Sequence, residues 1–73
     1  DPKTRLQEVL QARKRPLPLY EILEIGGSQH EQSFRVSCLL PDTSQTTQGS
    51  GTSRRRAEQK AAQIMLEQIA HGL

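Results

Sequence analysis

The chain has 73 residues, ten of them Lys or Arg and eight Asp or Glu, for a net charge of +2. A chain this short builds one small core of marginal stability; its lone Cys38 excludes an internal disulfide, and His30 and His71 stand too far apart for any zinc-finger spacing. No apolar run approaches the length of a membrane span or the centre of a signal peptide.

Asp1 and Pro2 read as a helix cap followed by a first-turn proline, and Leu6, Val9 and Leu10 recur at helical spacing until Pro16. This predicts a first helix over about residues 2 to 14. Pro16-Leu17-Pro18 is a linker into a strand over Leu19 to Ile25, which ends at Gly26-Gly27. After a polar loop, Phe34, Val36, Cys38 and Leu40 alternate with Arg35, Ser37 and Leu39, the period-two pattern of a half-buried strand. Pro41-Asp42 turns the chain, and Thr43 to Gln48 forms a weak third strand. Ser53 caps a long last helix that carries Ala57, Ala61, Ala62, Met65, Leu66 and Ile69 inward. The expected fold is therefore α+β in the order α-β-β-β-α, with a three-stranded antiparallel sheet and both helices on its one apolar face. It forms a single domain over residues 1–73, core about 2–71. The missing initial Met and the unpaired thiol point to a piece of a longer, cytoplasmic protein.

Charge is unevenly placed. Residues 1–15 hold five basic and two acidic side chains, residues 16–53 one basic and four acidic, and residues 54–60 four basic and one acidic. Two basic blocks are the electrostatic footprint of a nucleic-acid binder, although solvated helix faces produce the same blocks. More telling is Arg54-Arg55-Arg56 in the first turn of the last helix. The helix dipole makes that end positive, so each arginine there is unfavourable by about 0.3 to 1 kcal/mol. A broken local rule of this kind points to function, and an anion docked on the helix end would make the arginines favourable. Phosphate is the obvious anion. A nucleotide-binding P-loop is excluded, because Gly49-Ser50-Gly51 lacks the Gly-Lys-Ser/Thr that such a loop needs.

Pro18 and Tyr20 at the first strand, Gly27, His30 and Phe34 around the first loop, Gly49, Gly51, Ser53, Arg54 and Arg55 at the last helix, and Ala61-Ala62 within it together resemble the double-stranded RNA-binding domain family. The resemblance spans residues 4 to about 69. Lys3-Thr4-x-Leu6-Gln7-Glu8, Pro16-Leu17-Pro18 and Arg54-Arg55-x-Ala57-Glu58-Gln59 are similar, more narrowly, to the C-terminal domains of the bacterial ribonuclease III family. Two positions depart from the pattern. Glu58 stands where many members carry lysine, which implies one weaker phosphate contact, and Ser28 replaces a common proline, which implies a looser His30 loop.

Thr4, Gln7, Glu8 and Gln11 form a polar stripe at i, i+3, i+4 and i+7. Taken alone, the stripe is better explained as an ordinary solvated face. The resemblance implies instead that it reads 2′-hydroxyls in an RNA minor groove, that His30 enters a second minor groove, and that Ser53, Arg54, Arg55 and Lys60, with Arg56 as an alternative, meet the phosphates between them. Gly49 and Gly51 permit a close backbone approach. Lys3 and Arg13-Lys14-Arg15 add nonspecific attraction or are solubilising charge, and His71 is placed favourably against the helix dipole with no role assigned.

Tyr20 and Phe34 are expected in the core, and so few aromatics argue against a single-strand binder. Cys38 is expected to be an inert core thiol. The chain alone is not expected to be an enzyme, having no carboxylate cluster for magnesium. The resemblance implies an endoribonuclease parent, homodimeric through a magnesium-dependent nuclease domain and active in rRNA and mRNA processing, to which this monomeric domain presents double-stranded RNA. The alternatives are a protein-interaction module of the same fold or an RNA-binding adaptor without a nuclease.

Overall fold

The computed structural model describes residues 1–70 and follows the order α1 (Pro2–Ala12), β1 (Leu19–Ser28), β2 (Glu31–Leu40), β3 (Gln45–Gly51), α2 (Arg54–Ala70). His71 lies outside the described residues. The strands form one antiparallel sheet with β2 at its centre. α2 lies across β2 and β3, and α1 packs beside α2 on the same side. Leu6 and Leu10 of α1, Cys38 and Leu40 of β2, and Ala61, Ala62, Met65 and Ile69 of α2 form the core. Alanines at the helix–sheet contact let backbones approach, while the leucines and Met65 fill the remaining volume.

α1 begins as its sequence dictates. The Thr4 amide donates to the Asp1 carboxylate at 2.8 Å, and Pro2 occupies a first-turn position whose amide would be unpaired anyway. It ends two residues earlier than the apolar spacing suggests. Lys14 adopts a left-handed φ of 56°, and the Lys14 and Arg15 amides donate to the Gln11 and Leu10 carbonyls at 3.0 and 2.9 Å. This is the Schellman closure, formed here without the usual glycine. Arg15 then reaches the β2–β3 turn, where its guanidinium holds both Asp42 oxygens at 2.9 and 3.2 Å and keeps that carboxyl below its ordinary range.

The β1–β2 hairpin is longer than expected. Pairing continues past Ile25 through Gly26–Ser33, Gly27–Gln32 and Ser28–Glu31, so the polar loop shrinks to Gln29 and His30. Backbone pairing needs no apolar side chain, which is why alternation alone underestimates both strands. Gly27, at φ +83°, sits where a Cβ would collide with the Glu31 carbonyl. Ser28 braces this turn through its hydroxyl, which accepts the Glu31 amide at 3.2 Å. A register shift between Ile22 and Glu24 leaves Leu23 unpaired, so that Ile22 and Ile25 both point to the helix side. Ile25 nevertheless remains 56% exposed and its partner Phe34 only half-buried, because the distal hairpin extends past the cover of the helices. Phe34 is thus a flank of the core rather than a member, whereas Tyr20 packs against it.

β3 runs past Gln48, where the sequence pattern ends it, and takes in Gly49 and Gly51. A Cβ on Gly49 would lie 2.5 Å from the Ala57 carbonyl oxygen and closer still to the Ala61 nitrogen, so the close approach at Gly49 and Gly51 is of β3 to α2. The buried Thr47 hydroxyl fixes the same contact by donating to the Ala61 carbonyl at 2.8 Å.

Candidate nucleic-acid interface

α2 starts where Ser53 caps it: its hydroxyl accepts the Arg56 amide at 3.1 Å, and its carbonyl accepts the Ala57 amide at 3.0 Å. Arg54 and Arg55 therefore occupy the first helical positions, where backbone amides are free of intrahelical partners. Arg54, Arg55 and Arg56 are all exposed, and no acidic residue lies in that turn. Among the described residues the Arg56 guanidinium makes only a long contact, 3.5 Å, to the Thr52 hydroxyl.

Thr4, Gln7, Glu8 and Gln11 are exposed along α1 as the stripe requires. The helix pairing brings part of this stripe to the basic end of α2. A cleft of about 690 Å³ has Thr4 and Gln7 on one wall and Arg54 and Arg55 on the other, with Tyr20 among the remaining lining residues. Lys60 does not line this cleft; it borders a neighbouring groove with Arg55 and Arg56. His30 is exposed at the hairpin turn and joins neither. The expected contacts thus fall into two places, a composite surface on the two helices and a separate tip.

Joining the two helices is Glu58, a residue read from sequence only as a departure from the family pattern. It is 8% exposed and does not present itself as a surface acid. Its two oxygens accept the Lys3 ammonium at 2.6 Å and the Arg54 Nε at 2.9 Å. Burial alone would raise its pKa; the hydrogen bonds and charges of Lys3 and Arg54 outweigh burial and hold the carboxyl below its ordinary range. The Lys3 amide also donates to the Gln59 side chain at 2.9 Å, and its ammonium lies 4.9 Å from the Tyr20 ring centroid. Lys3 is therefore an internal tie rather than free surface charge. So is Arg15, while Arg13 and Lys14 remain exposed. The i, i+4 spacing of Arg54 and Glu58 is visible in sequence, but nothing local foretells Lys3, 55 residues away.

Beneath the cleft the Tyr20 hydroxyl is buried beside the Cys38 thiol, and burial raises its pKa. Cys38 is fully buried, and burial pushes its thiol up, as expected of an inert core cysteine. Among the described residues no three of His, Cys, Asp or Glu converge as metal ligands, and no helix is long and apolar enough to cross a membrane.

A helix-covered antiparallel sheet with a polar helix face set against a basic helix end defines a small α+β nucleic-acid-binding module. The chain belongs to the double-stranded RNA-binding motif family, whose sequence pattern matches residues 2–69. It is 58% identical over 69 residues to a protein named Ribonuclease 3 from Alkalilimnicola ehrlichii, covering 94% of this chain and 30% of that protein. A Ribonuclease 3 from Psychromonas ingrahamii is 59% identical over 70 residues, covering 96% of this chain and again 30% of the relative. The chain thus spans about 30% of the length of these curated relatives. Among solved structures, Arabidopsis HYL1, described in connection with miRNA processing, superposes with a TM-score of 0.80 at 35% identity, covering 94% of this chain and 96% of that one.

Proposed function

We propose that this domain grips double-stranded RNA by shape and presents it to the nuclease part of a ribonuclease III. The observation that carries this reading is the cleft that sets Thr4 and Gln7 opposite Arg54 and Arg55. An RNA minor groove is wide, shallow and lined with 2′-hydroxyls that both donate and accept, and Gln7 and Gln11 offer both functions in return. Arginine forks suit the adjoining phosphates, and the free amides at the start of α2 add a positive end. His30, on its separate tip, meets a second minor groove. Lys60, on the neighbouring groove, adds phosphate attraction at the edge.

The identity to the Ribonuclease 3 relatives supports a parent endoribonuclease; its action in rRNA and mRNA processing and its place in the cytoplasm belong to the same proposal. Its magnesium ions and its homodimer contact belong to the nuclease portion, and this domain is monomeric by itself. Strand cleavage is the nuclease's task; this domain's residues bind, orient and hold the duplex.

A competition between RNA and DNA duplexes of one sequence of about 20 base pairs, a little longer than the roughly 16 that such a domain spans, tests the reading. RNA should bind well above DNA, and alanine at Gln7 and Gln11 should narrow the gap. Equal affinities for the two polymers would remove the α1 stripe from recognition.

A further inference from the structure

Glu58 is the one acidic side chain in the basic block of α2, and its position sets two readings against each other. An exposed carboxylate near the phosphate path would repel RNA. Glu58 is not exposed: its side chain retains 10% of its accessible surface, with one oxygen on Lys3 of α1 and the other on Arg54 of α2. Both of its acceptor atoms are used, and by cations from the first helix and the last. The Arg54 side chain is 57% exposed and spends only its Nε on Glu58. A guanidinium has five donors, so the two terminal nitrogens stay available to a phosphate while the stem is held.

We propose that Glu58 is a positioning residue for RNA binding: it clamps Lys3 and Arg54 so that the polar stripe of α1 and the basic end of α2 meet the duplex as one preset surface. This rests on the reading of the chain as an RNA binder. The carboxylate also lies between two positive groups that would otherwise repel each other across the helix junction. With the clamp in place, the loss of freedom of Arg54 is taken during folding and not again on binding. The Lys3 amide on Gln59 and the Lys3 ammonium over Tyr20 steady the same corner, so the clamp ties α1 to α2 and rests on β1.

The test is Glu58→Gln, measured on a 20-base-pair RNA duplex at a temperature where circular dichroism shows the variant fully folded. Affinity should fall about threefold to tenfold, the loss expected when one long side chain must be ordered on binding, even though a negative charge has left an RNA-binding end. A carboxylate that only repels phosphate gives the opposite sign, tighter binding with a steeper salt dependence, and that result overturns the proposal. A purely structural role lowers the melting temperature and leaves the affinity of the folded variant unchanged, which also overturns it. Arg54→Ala should weaken binding less in the Glu58→Gln background than in the native chain; additive effects contradict the clamp. If Glu58→Gln does not fold, Lys3→Met replaces it in the same cycle with Arg54→Ala, because two cations that touch only through Glu58 should still be coupled. Failure of the native chain to bind duplex RNA would sink the RNA reading itself. Binding that depends on Arg54 but not on Glu58 or Lys3 sinks only the clamp.

Discussion

Arg54 and Arg55 are neighbours in sequence and differ in what holds them. Sequence treats both as violations of the helix dipole, so their removal together should relieve strain. The structure separates them: Arg54 is a partner of buried Glu58, while Arg55 makes no ion pair among the described residues. Arg55→Ala should make the log–log salt dependence of RNA binding shallower by about one unit and leave stability unchanged or higher by a few tenths of a kcal/mol. Arg54→Ala should lose about the same slope but also cost about 0.5 to 1.5 kcal/mol, a moderate figure because solvent screens an arginine this exposed. Salt titration and thermal melting of the two single variants check this. If both melt alike, Glu58 does not depend on Arg54.

The secondary elements show what a sequence can and cannot reveal. The Asp1-Pro2 start, the alternation of Phe34 to Leu40 and the apolar stripe of α2 each follow from local rules, and each lies where those rules put it. What escaped depends on a second element. β3 runs on through Gly49 to Gly51 because α2 presses on it, and glycine, a strand breaker by propensity, is required there by contact. Gly49→Ala should therefore destabilise the fold by about 2 kcal/mol or more, while Ser50→Ala, on the exposed face, should stay within about 0.5 kcal/mol. Urea unfolding of the pair decides: equal midpoints would mean that the β3–α2 approach has slack. The stripe on α1 was legible as a pattern, but its meeting with Arg54 and Arg55 across the cleft was not, since residues so far apart in sequence are joined only by packing.

The molecule is elongated, 41 × 22 × 19 Å, with a hairpin that outruns the helices covering its sheet. A body with a composite helix surface and a separate His30 tip should read duplex length as well as polymer type. Affinity should rise with RNA length up to about 16 base pairs and then level off. His30→Ala should weaken binding to a 20-base-pair duplex and leave binding to a duplex of about 8 base pairs unchanged. Binding measured across a length series provides the check, and an equal loss on both lengths would place His30 at the helix surface rather than in a second groove.

The tie between Lys3 and Glu58 also sets an order in time. It joins α1, which supplies the polar stripe, to α2, which supplies the arginines. On a ribosome, α1, β1, β2 and β3 are all made before α2, so a chain halted at Gly51 holds the stripe and neither arginine. Contacts between segments this far apart in sequence form late as a rule, because the loop between them must close first. The composite surface is therefore complete only once α2 has been made, and a chain truncated at Gly51 should hold duplex RNA far more weakly than the whole domain, a difference that a gel shift of the two would read.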